Sequence, residues 1–400
     1  MKVLLFTNLF PTPADSNRGL FTAQLAREMA SRCELRVCVP LPWTPTGRLA
    51  ARLMPRRYRE FALVPRSARI DGIEVDYPRY PLLPRISERW QARLMSIGLR
   101  GYIRRLRNRF AFDVINAQWL YPDGAAAITL AQRLRVPVVL TGLGCDVNEF
   151  LFAAEKRGQI LGALKRAAAI TVVSRELGEV LETEGIPSDR MTTIPNGVDT
   201  LKFHPTPREP ARQTLGIDTA RPLIVCVSRL SHEKGVQVLV EATALLAKEI
   251  PDVLVKVVGD GPQRDALAAR IRQLRIEDTI MMVGAVPHHE VAVWLAASNV
   301  VCMPSLREGH PNAALEALAC GRPLVASGVG SLVSMVNDKL GFLVSPNDPS
   351  SLACALAGAL ARNWDENAIA RSVEGSSWSA AAERYVQILG GLGHPGVKAA

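Results

Sequence analysis

The stretch PLIVCVSRLSHEKGVQVLVEATALLAK occupies residues 222–248. Its first part, Leu223–Val227, is an unbroken apolar run rich in β-branched residues, the pattern of a parallel strand buried on both faces. From Gly235 onward apolar residues recur at three- and four-residue spacing, which predicts a helix over 235–248. Strand, short loop and helix make half of a βαβ unit, and the same order repeats along most of the chain. Further strands are predicted at 2–8, 34–40, 73–79, 113–118, 137–143, 169–174 and 191–196, then at 254–259, 279–284, 299–304, 323–328 and 341–346. Helical patterns lie between them, among them 263–274, 288–297, 312–320 and 349–362. Alternation of this kind builds an α/β fold with doubly wound parallel sheets.

The alternation runs twice. It breaks at residues 195–216, PNGVDTLKFHPTPREPARQTLG, a stretch rich in proline and polar residues without a clear period. This reads as a linker between two Rossmann-like domains, and a chain of 400 residues is long enough for two. Open parallel sheets bind ligands beyond the C-terminal ends of their strands, so two such domains facing each other are expected to enclose a cleft.

Composition excludes several classes. No run approaches the roughly 18 uncharged apolar residues of a membrane span. The start, MKVLLFTNLFPTP, reads as a buried first strand and not as a secretory signal. Seven cysteines form no C-x-x-C pair and no metal-ligand spacing, and several fall inside apolar strands, which suits a reducing, cytoplasmic compartment. The formal net charge is +10, and it is concentrated. Between Arg48 and Arg109 there are 16 arginines, no lysine and five acids, so this segment alone exceeds the excess of the whole chain. Within it Met95, Leu99, Ile103, Leu106 and Phe110 recur at helical spacing, with Arg93, Arg100, Arg104 and Arg107 assigned to the opposite face. A local basic block implies a local anionic partner, and an anionic membrane surface on the inner side of the plasma membrane fits. Nucleic acid does not, because the block has few aromatics for stacking and no recognition motif.

Three short motifs carry chemistry. Arg229 and Lys234 follow the strand at 222–228 and precede a helix, where cations beside helix amides suit a phosphate. Taken alone they also fit two solvated charges in a turn. Gly259 and Gly261, in VVGDGPQRDAL, allow close backbone approach, though a plain strand-to-helix turn would look the same. Finally, SLREGHPNAALEALACGRPLVAS spans Ser305–Ser327 and places Glu308 in a loop and Glu316 in the first turns of the helix behind it. A carboxylate cannot bind phosphate, so both suit sugar hydroxyls; a surface acid and a helix-capping acid remain the alternatives.

Arg-x-x-x-x-Lys-Gly at 229–235, Gly-Asp-Gly-Pro at 259–262 and Glu-x7-Glu at 308–316 occur together and in order. The set resembles the retaining glycosyltransferases of the large fourth family, the glycosyl transferases group 1, which have the GT-B fold. TTIPNGVDTLKFHP resembles that family's interdomain signature, and FDVINAQWLYPDGAAA and LTGLGCDVN resemble its acceptor-domain segments. DGIEVDYPRYPLLP and YPDG look like bacterial enzymes of surface or exopolysaccharide synthesis, including the teichuronic-acid type. The resemblance implies an N-terminal acceptor domain over 1–200, a C-terminal donor domain over 205–375, and a C-terminal helix at about 376–392 packing back on the first.

It also implies the roles. Glu316 would hold the nucleotide ribose of a nucleoside-diphosphate sugar, and Glu308 would contact the donor sugar near its anomeric carbon. Arg229 and Lys234 would hold the diphosphate. Gly309, His310, Pro311 and Asn312 would line sugar and phosphate, and Gly19 would approach the diphosphate from the other domain. Fixed cations can replace a metal at a departing diphosphate, and no Asp-x-Asp motif is present, so neither metal nor cofactor is expected. Domain closure would exclude water. The implied reaction is retaining transfer of a hexose-type sugar to a saccharide or lipid-linked acceptor. One departure stands out: the fourth strand ends in Gln118 where the family often has His, and the N-terminal domain contains no His at all. Acceptor-side roles therefore fall to Gln118, Asp123 or Asp146. The departure keeps two alternatives open, a nucleotide-sugar 2-epimerase of the same fold and a catalytically inactive sugar-nucleotide-binding subunit.

Overall fold

A computed structural model of the chain describes residues 1–43, 56–83 and 86–393. Of the arginine-rich segment, Arg48, Arg52 and Arg85 lie outside the described residues, as do the side chains of Arg56 and Arg57. Two compact units are present, one made of Met1–Pro195 and the chain from Trp378 onward, the other of Asn196–Ser377.

The first unit carries strands β1 (Lys2–Phe6), β2 (Glu34–Cys38), β3 (Leu41–Trp43), β4 (Ser67–Ile70), β5 (Ile73–Asp76), β6 (Arg79–Pro81), β7 (Val114–Gln118), β8 (Val138–Gly142), β9 (Ala169–Val172) and β10 (Met191–Thr193). Eight of them form one sheet in the order β10-β9-β8-β7-β1-β2-β5-β4, parallel throughout except at β4. The central strands β7 and β8 are buried at every position, which accounts for their mostly apolar sequences, and Asn116, Gln118 and Thr141 are buried polar residues within them. The predicted strand 73–79 is two strands. Pro78 has no amide to give a ladder, and the chain leaves the large sheet there to pair β6 with β3.

The helix Gln91–Arg109 buries Met95, Leu99, Ile103 and Leu106, while Arg93, Arg100 and Arg104 are exposed. Arg107 departs from the assignment to the solvated face: it lies on the flank of the helix and its guanidinium packs 4.9 Å from the centre of the Phe112 ring. The helix Trp378–Gly393 belongs to this unit, where Trp378, Ala382, Tyr385 and Leu389 share a buried cluster with Val3, Leu25 and Met29. Among the described residues no helix is long and apolar enough to cross a membrane.

The second unit has a sheet of β11 (Leu223–Val227), β12 (Leu254–Val258), β13 (Ile280–Gly284), β14 (Val300–Met303), β15 (Leu324–Ser327) and β16 (Gly341–Val344). The order is β13-β12-β11-β14-β15-β16 and all pairs are parallel. Both units are thus Rossmann-like, as the alternation of strands and helices requires. The stretch 195–216, expected to lack regular structure, contains a helix at Arg208–Leu215. Its anchor is a buried arginine and not an apolar stripe, so no period announces it. Arg212 donates to the carbonyls of Ala297, Thr219 and Arg221 and to Asn299 Oδ1 at 2.6–3.0 Å.

Arg322 is the largest side chain with no exposure at all. Its guanidinium reaches Glu366 Oε2 and the Thr206 carbonyl, both at 2.6 Å, and Arg208 takes the other oxygen of Glu366. Replacing Glu366 by alanine leaves Arg322 buried with its charge uncompensated. Glu366→Ala should therefore lose about 1.5–3 kcal/mol, the worth of a charged hydrogen bond, in urea unfolding of the full chain. An unchanged unfolding midpoint would show that water replaces the carboxylate.

Candidate functional site

In the second unit the winding reverses between neighbours β11 and β14: from β11 the chain steps outward to β12 and β13, and from β14 the other way to β15 and β16. Such a switch point opens a crevice at the C-terminal strand ends. The loops 228–235 after β11 and 304–311 after β14 both leave from it. They approach backbone to backbone, for Leu306 N donates to the Glu233 carbonyl at 2.8 Å. Gly235 has φ +65°, and a Cβ there would fall 1.8 Å from the Pro304 oxygen, so only glycine permits this approach.

The contact aligns two of the residues singled out above. Lys234 Nζ donates to both oxygens of Glu308, at 2.7 and 2.8 Å, and Ser305 Oγ donates to Oε1 at 2.7 Å. Glu308 is only 7 % exposed, so its charge depends on these donors. Arg229 is exposed on the same loop and makes no side-chain hydrogen bond or ion pair among the described residues. The Gly259–Gly261 turn backs the β11 loop: Leu230 N donates to the Asp260 carbonyl and Gln263 N to the Leu230 carbonyl.

Glu316 lies in the helix Asn312–Ala319, largely buried, and its Oε1 is 2.7 Å from His288 Nε2. The His288 ring packs against Phe203, centroids 5.2 Å apart. Ahead of this helix, Gly309 and Pro311 are buried and His310 and Asn312 half-buried. Asn196 clamps the segment, its Nδ2 donating to Asn312 Oδ1 at 2.9 Å and to the His310 carbonyl at 3.3 Å. The helix has no side-chain cap, which leaves its first amides available to an anion. Cations, open amides and two held carboxylates on one unit can bind a molecule that joins an anionic group to hydroxyls. His288, Phe203, Ser305 and Asn196 were not singled out from sequence. Asn196 and Phe203 fall inside the stretch TTIPNGVDTLKFHP and Ser305 opens the stretch around Glu308, while His288 left no trace.

The first unit repeats the geometry. Its winding reverses between β1 and β7, and the loop after β1 meets the turn after β7 through Asn8 N, which donates to Asp123 Oδ2 at 2.9 Å. Arg18 Nε donates to the Asn8 carbonyl at 2.8 Å. Gly19, φ +58°, starts the helix Leu20–Ala30, and a Cβ there would lie 2.2 Å from the Leu9 carbonyl carbon. Packing of the loop on itself thus already demands this glycine. Gln118 is buried, its amide donating to Asn116 Oδ1 at 3.1 Å.

The two aspartates differ. Asp146 accepts from three backbone amides, Leu120 at 2.8 Å, Gly144 at 2.8 Å and Leu143 at 3.0 Å, and so straps the β7 and β8 loops together. Asp123 has one amide on Oδ2, and its Oδ1 is buried without a hydrogen-bond partner among the described residues. Burial pushes its carboxyl up to about 8, outweighing the Asn8 amide and the charge of Arg18. Burial also raises Asp146.

With this geometry in place, comparison with known proteins is direct. Residues 207–372 match the family described as Glycosyl transferases group 1, and residues 19–202 match Glycosyltransferase Family 4. A protein of Bacillus subtilis (strain 168) named as a teichuronic acid biosynthesis glycosyltransferase, TuaC, is 28% identical over 365 residues, covering 89% of this chain and 88% of that one. The D-inositol 3-phosphate glycosyltransferase of Frankia alni is 33% identical over 296 residues, 68% of this chain and 72% of its own. The crystal structure of Anabaena Alr3699/HepE in complex with UDP superposes with a TM-score of 0.73 at 18% identity, over 98% of this chain and all of that one (100%). Two Rossmann-like units of this kind make up the GT-B fold. The chain belongs to the glycosyl transferases group 1.

The raised carboxyl of Asp123 has a signature in stability. Between the ordinary carboxylate value near 4 and about 8, the folded chain keeps a proton that the unfolded chain has released. This group therefore makes stability fall as pH rises through that window. Asn carries no such proton. The melting temperature of Asp123→Asn relative to wild type should climb from pH 5 to pH 8, and a constant offset across the window would place the Asp123 carboxyl in the ordinary range.

Proposed function

We propose that the chain is a metal-independent, retaining glycosyltransferase. It moves a hexose-type sugar from a nucleoside-diphosphate sugar to a saccharide or lipid-linked acceptor in bacterial surface or exopolysaccharide synthesis, working at the inner face of the plasma membrane through its Arg48–Arg109 region. The relative in teichuronic acid biosynthesis supports the pathway, and the UDP complex of the structural neighbour supports the donor class.

The observation that carries the reading is the ion pair of Lys234 and Glu308 at the switch point of the second unit. A diphosphate arriving there offers Lys234 a partner of higher charge. Lys234 then turns its donors from Glu308 to the phosphate, beside Arg229, and the carboxylate so released accepts from a hydroxyl of the donor sugar. Glu316, steadied by His288, holds the ribose. Cleavage of the bond between anomeric carbon and phosphate oxygen puts negative charge on the departing diphosphate, where both cations stabilise it. The acceptor hydroxyl attacks on the same face, its proton passes to the departing phosphate, and the configuration is retained. Gln118, Asp123 and Asp146 stand on the acceptor unit. Asp123 has a buried oxygen without a hydrogen-bond partner among the described residues, which suits it to hold an acceptor hydroxyl.

The direct test is incubation with UDP-, GDP- and ADP-hexoses, the preferred donor being chosen by its thermal stabilisation of the chain. Nucleotide release should require acceptor, the product should keep the donor's anomeric configuration, and EDTA should change little. Inhibition by EDTA that Mn²⁺ reverses would overturn the metal-free mechanism, and conversion of donor alone would reveal an epimerase.

The two glutamates should fail differently. Glu316→Ala should weaken donor affinity by a few-fold to about a hundredfold, as for a lost charged hydrogen bond. Glu308→Gln should reduce turnover more than affinity, because its contact matters most in the transition state. Arg229→Ala and Lys234→Ala should nearly abolish transfer. Calorimetric donor binding beside initial rates separates these outcomes, and matching losses in both glutamate variants would contradict the roles.

A further inference from the structure

Arg100, Arg104 and Arg133 converge on one cavity of about 380 Å³ between the helix Gln91–Arg109 and the C-terminal end of the helix Ala125–Gln132. Its apolar lining is Ile103, Leu130 and Leu134, the first two buried in the core of the first unit. None of the three guanidinium groups has a hydrogen bond or ion pair among the described residues. Neither helix contains an acidic residue, and the other charges on the first, Arg93, Arg105, Arg107 and Arg109, and Arg135 just beyond the second, are all positive. Like charges gathered over a low-dielectric lining repel one another, and an anion in the cavity removes that cost.

The same helix shows what else the partner must offer. Trp90, Arg93, Ile97, Arg100 and Arg104 recur at three- and four-residue spacing and share one face. Trp90 and Ile97 are 44 % and 45 % exposed, and the Arg89 guanidinium lies 4.0 Å from the Trp90 ring centre. Exposed indole and aliphatic groups alternating with arginines suit the boundary between headgroups and acyl chains, where the rings enter the apolar layer and the arginines remain with the phosphates. A free anion would use the arginines and leave Trp90 and Ile97 in water. Only an amphiphile answers both.

We propose that the cavity of Arg100, Arg104 and Arg133 binds the phosphate headgroup of an anionic bilayer lipid, with the Trp90–Arg104 face lying along the membrane surface. The inference rests on the reading of this protein as peripheral to the membrane and gives that reading a defined site. It is independent of the donor chemistry.

The test is co-sedimentation of the full chain with phosphatidylcholine vesicles, with and without phosphatidylglycerol, at low and high salt. The variant Arg100→Gln/Arg104→Gln/Arg133→Gln is compared with Arg59→Gln/Arg66→Gln/Arg69→Gln, which removes equal charge from the arginine-rich segment outside the cavity. Circular dichroism and donor-induced thermal shift confirm that both variants fold. Wild type should bind only the anionic vesicles, and less at high salt. Each arginine near such a surface is worth roughly fivefold, so the cavity variant should lose about tenfold or more and the control far less. Trp90→Ala/Ile97→Ala should weaken the binding that survives high salt. Equal losses in both arginine variants would overturn the cavity while leaving membrane association intact. Failure of wild type to bind would overturn both. Loss of vesicle binding on adding inorganic phosphate at constant ionic strength would assign the cavity to a soluble anion and overturn the lipid.

Discussion

The parallel pairing of β11 with β14, two strands far apart in sequence, is the constraint on which the rest of the second unit depends. It joins Ile224 to Val300 and Val225 to Val301, and it places the two loops that follow these strands side by side. A carboxylate as buried as Glu308 needs donors in contact, and the pairing delivers Lys234 to it. Gly235 then becomes obligatory, since any side chain would collide with the Pro304 carbonyl. Sheet order, loop spacing and residue choice are thus successive consequences of one strand pairing.

The first unit uses the same reversal for a different charge balance. There the pairing of β1 with β7 brings a buried aspartate into hydrogen bonding with a backbone amide, where Glu308 has a lysine. Asp146 close by shows what full satisfaction looks like: three amides consume its acceptors, and the residue becomes a strap. Asp123 is held less completely, and the imbalance appears as its elevated carboxyl. Residue type alone does not separate these two aspartates. The number of donors around each does.

What could be read from the sequence followed burial. The central strands were legible because both of their faces are covered, which writes a mostly apolar run. β3, β4 and β6 were not, being three or four residues long, at sheet margins and partly exposed. The helix Arg208–Leu215 escaped because its anchor is the polar side chain of Arg212. In the site, Lys234, Glu308 and Glu316 were legible as residue types at a spacing, and the resemblance to a family gave them roles. Their local partners were not. Ser305, though only three residues from Glu308, looks like any loop serine. His288 and Asn196 reach their partners across 28 and 116 residues, contacts that no local pattern records.

The return of the chain to the first unit after Ser377 has a consequence for synthesis. The helix Leu20–Ala30 leaves the ribosome well before its cover, because Leu25 and Met29 pack under Trp378, Tyr385 and Leu389, which are made about 350 residues later. Until those residues are made the first unit carries an unfinished apolar face, while the second unit, contiguous in sequence, can complete its core without waiting. The nascent chain therefore passes through an intermediate with one finished half and one sticky half, the kind of species on which chaperones act. Bringing the two segments together closes a loop of about 350 residues, and the slow rise of closure entropy with loop length keeps that step thermodynamically modest.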